Sequence, residues 1–237
     1  MKFNVKKCAI MSITNKRKPS VYNYLLDNES IPRVNSHDYL GITVTDDLKW
    51  NLHCDNIIKK ATQSLGMVRR NLYSCSREVK AHAYTTLVRP KLEYASETWS
   101  PHTSKYIKKL EMVQHAAARY CFRNYSRSQS VTELINRLQW DSLETRRKVT
   151  DLKMFYKIEN NFMKIQFPAV IQPIPYTTTR RQHPYTKFIP ISTINSYKHS
   201  YFIRTLPIWN NLPSTVVTSG SVEQFTDTAS SYIRTMI

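Results

Sequence analysis

The chain has 237 residues and carries 35 Lys and Arg against 17 Asp and Glu, a formal net charge of +18. That length holds one large domain or two small ones with a buried core. With only 3 glycines and no G-x-G-x-x-G or Walker A pattern, the glycine-rich phosphate loops of ordinary nucleotide-binding folds are excluded.

The charge is uneven. Residues 1–50 hold 8 basic and 5 acidic side chains, residues 51–166 hold 21 and 10, and residues 167–237 hold 6 and 2. A chain this basic meets a polyanion: nucleic acid first, an anionic membrane surface second, with a merely solvated surface as the bland alternative. Cys8, Cys54, Cys75 and Cys121 form no C-x-x-C pair and read as free intracellular thiols. The apolar run at residues 8–11 is too short for a signal peptide, and nothing approaches the ~18 apolar residues of a membrane span. The expected protein is soluble and intracellular, cytoplasmic or nuclear, not secreted, with no membrane partner.

In chain order, residues 5–13 read as a strand and residues 15–20 as a polar turn. Residues 21–25 alternate and are rich in β-formers, and Asp27-Asn28-Glu29 follows as a turn. Residues 39–44 read as another strand, broken at Thr45-Asp46-Asp47. From about Leu52 the period becomes helical: Ile58, Ala61, Leu65, Val68 and Leu72 share a face. Lys59, Lys60 and Arg70 fall opposite it. A second helix over 78–88 is expected to stop near Arg89-Pro90, with a short third over 92–98.

Residues 103–123 give the clearest helix. Ile107, Leu110, Val113, Gln114, Ala117 and Cys121 form one face. Lys105, Lys108, Met112, His115, Arg119 and Arg123 form a stripe on the other. A short helix over 130–138 follows, then a longer one capped by Asp141 with Glu144 three residues on. Residues 167–196 hold Pro168, Pro173, Pro175, Pro184 and Pro190 among Thr, Ser and Tyr, and read as a linker or wrapping loop. Helices over 197–210 and 222–233, the second capped by Ser221, end the chain. The class is mainly α with a small N-terminal β element (α+β). The divisions are 1–50, 51–166, 167–196 and 197–237.

Several segments, in order, resemble the carboxy-terminal part of reverse transcriptases from non-LTR (LINE-type, jockey-like) retrotransposons. They are Asn4-Val5-x-Lys7-Cys8-x-x-Met11; Tyr39-Leu40-Gly41-Ile42 with Leu48-x-Trp50 and His53; and Leu65-Gly66 with Arg69-Arg70-Asn71-Leu72. Further on come Leu87-Val88-Arg89-Pro90-x-Leu92-Glu93-Tyr94-Ala95 with Trp99-Ser100-Pro101-His102, then Leu110-Glu111-x-Val113-Gln114. Last are Leu143-x-x-Arg146-Arg147, Phe155-Tyr156-Lys157-Ile158-x-Asn160 and Arg204-Thr205-x-x-x-Trp209-Asn210-x-Leu212-Pro213. The resemblance implies a residual palm edge, a helical thumb and carboxy-terminal helices.

In that family the catalytic carboxylates hold divalent cations in an earlier strand and in an (F/Y)-x-D-D turn. The sequence contains no such turn, and Met1 then reads as an internal or late start. Asp46-Asp47 follows Thr45 rather than an aromatic and one residue, so it reads as a turn. The resemblance thus implies no catalytic residue and no cofactor in this chain, with magnesium expected only in the full-length enzyme.

Two constellations remain. By resemblance, Tyr39, Leu40 and Gly41 stand where the family grips the primer; they also read as palm-edge packing with Gly41 at a bulge. Lys59, Lys60, Arg69, Arg70, Lys105, Lys108, Arg119 and Arg123 are the candidate contacts to the phosphates of RNA or an RNA–DNA hybrid. His53 with Cys54, and His115 with Cys121, lack the spacing of paired zinc ligands. Trp99, Trp140 and Trp209 read as core rather than as base-stacking groups. No small-molecule site is expected. The expected function is a polymerase fragment that binds nucleic acid without sequence preference and makes none. The alternatives are a helical RNA- or protein-binding scaffold reused by the host, or a relic without function.

Overall fold

Two tight turns set the N-terminal architecture. Asp27 and Asn28 both take positive φ, 51° and 63°, the backbone that a two-residue hairpin turn needs and that Asp and Asn tolerate. They join β1 (Leu25–Leu26) to β2 (Glu29–Ser30). Leu40 and Gly41, at 48° and 82°, join β3 (Ser36–Tyr39) to β4 (Ile42–Thr45) in the same way. The computed structural model describes residues 4–14, 16–18, 20–126, 128–174 and 183–236.

The strand expected over residues 5–13 is instead a 3-10 turn, Val5–Lys7, followed by a single parallel bridge from Ile10 to Arg33. The strand expected over 39–44 is the β3–β4 hairpin, because Leu40-Gly41 reverses the chain inside it. Gly41 therefore marks a turn and not a bulge. Among the described residues the sheets are these two antiparallel pairs, and the rest is mostly helix.

The chain divides into two compact units, Met1–Asn56 and Ile57–Ile237. In the first, a polar relay ties β4 to the opening turns of helix α1 (Asn51–Asn71). The backbone N–H of Thr43 donates to His53 Nδ1 at 3.1 Å. Asn56 donates to Thr43 Oγ1, which donates to Asp38. His53 and Thr43 are both buried, so His53 serves as an internal acceptor. Asp47 caps its turn: it accepts from Thr45 Oγ1 and Lys49 N, and pairs with Lys49 Nζ at 2.9 Å. The Lys49 and Thr45 hydrogen bonds hold its carboxyl down to about 2.

In the second unit, α1 buries Ile57, Ala61, Leu65 and Val68 at helical spacing. Next come α2 (Arg77–Ala83), a π-helical turn (Tyr84–Val88) and α3 (Arg89–Glu93). The helix was expected to stop at Arg89-Pro90; it runs through. The Arg89 N–H bonds the Tyr84 carbonyl five residues back, and the widened turn admits Pro90 in the first turn of α3, where its missing N–H is harmless. Ala95, in the left-handed region, separates α3 from α4 (Ser96–Trp99).

Then follow α5 (Ser104–Phe122), α6 (Val131–Arg137) and α7 (Leu143–Glu159). Ser142, not Asp141, caps α7: its hydroxyl accepts from Thr145 N. Asp141 instead accepts both nitrogens of Arg234. The remaining helices are α8 (Asn195–Lys198), α9 (Tyr201–Asn210), α10 (Ser214–Val217) and α11 (Val222–Thr235). Ser221 caps α11 as expected.

Leu152, Phe155 and Tyr156 of α7 share one core with Leu206 and Trp209 of α9 and Phe225, Ala229 and Ile233 of α11. The chain before and after the proline-rich stretch therefore packs as one body. Part of that stretch is itself buried: His183 and Thr186 lie inside, and Lys187 N and O bond the Asn210 amide. Residues 175–182, with Pro175, lie outside the described residues. Trp99 and Trp209 are fully buried, and half-buried Trp140 stacks on Tyr84 at 4.6 Å.

His102, before α5, and His199, after α8, lie face to face with ring centroids 3.8 Å apart. Burial lowers both ring pKa values, and for His199 the charges of His102, Lys198 and Arg204 lower it further. A folded-state pKa below the unfolded value of about 6.5 gives stability that is complete above that pH and is lost as pH falls through the folded value. Urea midpoints are expected to drop between pH 7.5 and 5.5, and less steeply in His199→Gln. Parallel profiles would show that the stack does not titrate in this window.

Candidate nucleic-acid interface

Positive side chains from distant parts of the sequence meet where α1 and α5 end. Tyr120, near the end of α5, donates its hydroxyl to the Val68 carbonyl of α1 at 3.3 Å. That bond joins the two helices close to their C-termini. Around it the cations stack on rings. The Arg69 guanidinium lies 6.0 Å from the Tyr120 ring and 5.8 Å from the Tyr125 ring. Lys80, buried in α2, stands 5.1 Å from Tyr120. Arg77 and Arg137 both approach the Phe122 ring, at 5.2 and 4.8 Å.

Local geometry puts Arg123 here. It terminates α5 in the left-handed conformation at φ 52°, which turns the chain out of the helix. Its guanidinium then donates to the Tyr73 carbonyl, just past the end of α1, and lies 5.1 Å from the Tyr73 ring. Arg119 donates to the Ser126 carbonyl and closes the loop after α5. Glu78 beside this corner is paired with Arg77, and Glu133 accepts from the neutral amide of Gln129.

Of the eight expected phosphate contacts, Arg69, Arg119 and Arg123 belong to this corner, and Arg70 lies exposed on the opposite side of α1, its guanidinium beside Gly66. The four lysines also lie away from it. Lys59 and Lys60 lie about 15 Å back along α1 from Arg69, and Lys108 and Lys105 about 17 and 21 Å back along α5 from Arg119, at 1.5 Å per residue. All four are exposed. Tyr39 and Leu40 form the tip of the β3–β4 hairpin and are 66% and 72% exposed. Leu40 holds a left-handed backbone that costs a side-chain-bearing residue about 1–2 kcal/mol. The tip thus presents an apolar pair outward from the first unit.

The sequence reading missed Tyr73, Arg77, Lys80, Phe122, Tyr125 and Arg137. A signal was there: Arg119-Tyr120-Cys121-Phe122-Arg123-Asn124-Tyr125 interleaves cations with aromatics, and Arg69-Arg70 precedes Tyr73 by three residues.

Many of the residues in the segments quoted above serve the interior. Glu93 takes both arms of Arg146, joining α3 to α7. Arg204 bridges both oxygens of Asp151 at 3.0 Å and also donates to the carbonyls of Ser96, Glu97 and His199. Trp209 is fully buried and donates to the Tyr185 carbonyl. Cys54 and Cys121 are buried, and burial pushes the Cys121 thiol up to about 11. Among the described residues no group of three or more His, Cys, Asp or Glu is arranged to hold a metal ion, and no helix is long and apolar enough to cross a membrane. Comparison with protein-family models, curated proteins and solved structures finds no match to this chain.

Proposed function

We propose that this chain binds RNA or an RNA–DNA hybrid without sequence preference, and that it derives from the carboxy-terminal part of a non-LTR retrotransposon reverse transcriptase without the residues of synthesis. The observation that carries the binding is the corner where α1 and α5 end. Arg69, Arg119 and Arg123 gather there, with Glu78 held by Arg77. Guanidinium groups fixed at one edge suit the phosphate backbone, which supplies affinity without reading sequence. The ancestry rests on the ordered motifs.

Filter binding of the chain to a mixed-sequence RNA–DNA hybrid across a salt series tests this. Log affinity is expected to fall against log salt with a slope of about −2 to −3, one released counterion for each of the three arginines. Primer extension with magnesium is expected to yield no product above background. Salt-indifferent binding would remove the phosphate reading, and templated synthesis would remove the inactivity.

A further inference from the structure

Phosphate contact explains the cations of the α1–α5 corner but not its rings. Tyr73 is 70% exposed and Tyr125 56% exposed. Each carries a guanidinium near its ring, Arg123 at 5.1 Å and Arg69 at 5.8 Å. Neither ring belongs to the core that α7, α9 and α11 share or to the cluster around Ala118, Leu134 and Ile135.

Tyr73 is tied at its backbone, with Arg123 over its ring, and Tyr125 at its hydroxyl and its loop. Arg123 bonds the Tyr73 carbonyl. Arg69 donates to the Tyr125 hydroxyl at 3.4 Å. The loop bearing Tyr125 is pinned at Ser126 by Arg119 and by the Asn124 side chain. A ring fixed before binding loses little conformational freedom when something stacks on it.

We infer that Tyr73 and Tyr125 form a stacking platform for unpaired bases, so that the corner takes a single-stranded stretch of RNA or DNA in preference to a closed duplex. The inference rests on the nucleic-acid reading above and narrows it. A closed duplex keeps its base faces stacked inside, where a surface tyrosine cannot reach them. An unpaired base offers its face, and an aromatic ring beside a cation is the usual receiver. The arginines would neutralise the phosphates on either side of the stacked bases. Every base has a π-face, so the platform carries no sequence preference.

The test uses the full chain and three fluorescent probes of equal length: a 12-nucleotide single strand, the same strand made abasic, and its duplex. Anisotropy is expected to show the base-bearing strand bound about tenfold or more tighter than either of the others. Tyr73→Ala and Tyr125→Ala are each expected to weaken it about tenfold, with the duplex little affected and the melting temperature unchanged. Tyr73→Phe keeps the ring and is expected to retain the affinity. Equal binding of the abasic and base-bearing strands would overturn the platform while leaving phosphate binding intact. Absence of binding to all three probes would overturn both readings.

Discussion

Replacing Arg204 with alanine is expected to lower the free energy of unfolding by about 3–5 kcal/mol, the usual cost of removing one partner of a buried ion pair. Arg204 holds Asp151 through two nitrogens, and both side chains are mostly buried. Without the guanidinium, the Asp151 carboxylate is stranded and three carbonyls, from Ser96, Glu97 and His199, lose a donor. The loss should depend on pH. Burial already pushes the Asp151 carboxyl up to about 6, against the pull of Arg204, and removing Arg204 lifts it further. A carboxyl whose folded pKa is raised favours the folded state at low pH, and that contribution is lost as pH rises through the folded pKa. The deficit of Arg204→Ala relative to the parent should therefore be largest at pH 7.5 and shrink at pH 5. Urea denaturation at the two pH values measures it, and a deficit that grows on acidification would contradict this account. Replacing both partners by Met and Leu should cost far less than Arg204→Ala alone.

Trp209→Ala should cost a similar amount, about 3–5 kcal/mol, or a fall in melting temperature of about 6–20 °C for a chain of this size. Trp209 packs on Phe155 at 4.7 Å and Phe225 at 6.1 Å, and meets the edge of His183 at 5.8 Å. It also holds the segment after the proline-rich stretch. Its indole donates to the Tyr185 carbonyl at 2.9 Å, and its own carbonyl bonds His183 Nε2 at 2.9 Å. Trp209→Phe keeps a ring and loses the donor, so it should cost about 1–2 kcal/mol and raise hydrogen exchange over residues 183–190 more than elsewhere. Exchange that rises uniformly would mean the segment is not tied through this residue.

The long helices were legible because their patterns are strong. The spacing of Leu110, Val113, Gln114, Ala117 and Cys121 identifies the buried face of α5, and the Ser221 cap locates the start of α11. What escaped was decided by backbone or by distance. Leu40 carries no turn signal, yet it enters the left-handed region beside Gly41. Pro90 reads as a stop because a sequence does not announce a π turn. Lys80 reads as a surface cation, but it is buried beside Tyr120, a neighbour forty residues away. The candidate site was half legible for the same reason. Its arginines stand out as charge, whereas the pairings of Arg123 with Tyr73 and Arg69 with Tyr125 span about fifty residues and exist only once α1 and α5 have docked.

The π turn also fixes how long the chain must be at that point. Deleting one codon within Tyr84–Val88 would restore regular α-helical hydrogen bonding. The cost would fall on Pro90, which has no N–H to give and whose ring would meet the carbonyl one α turn back. A shorter gene would encode a tighter helix with a proline inside it.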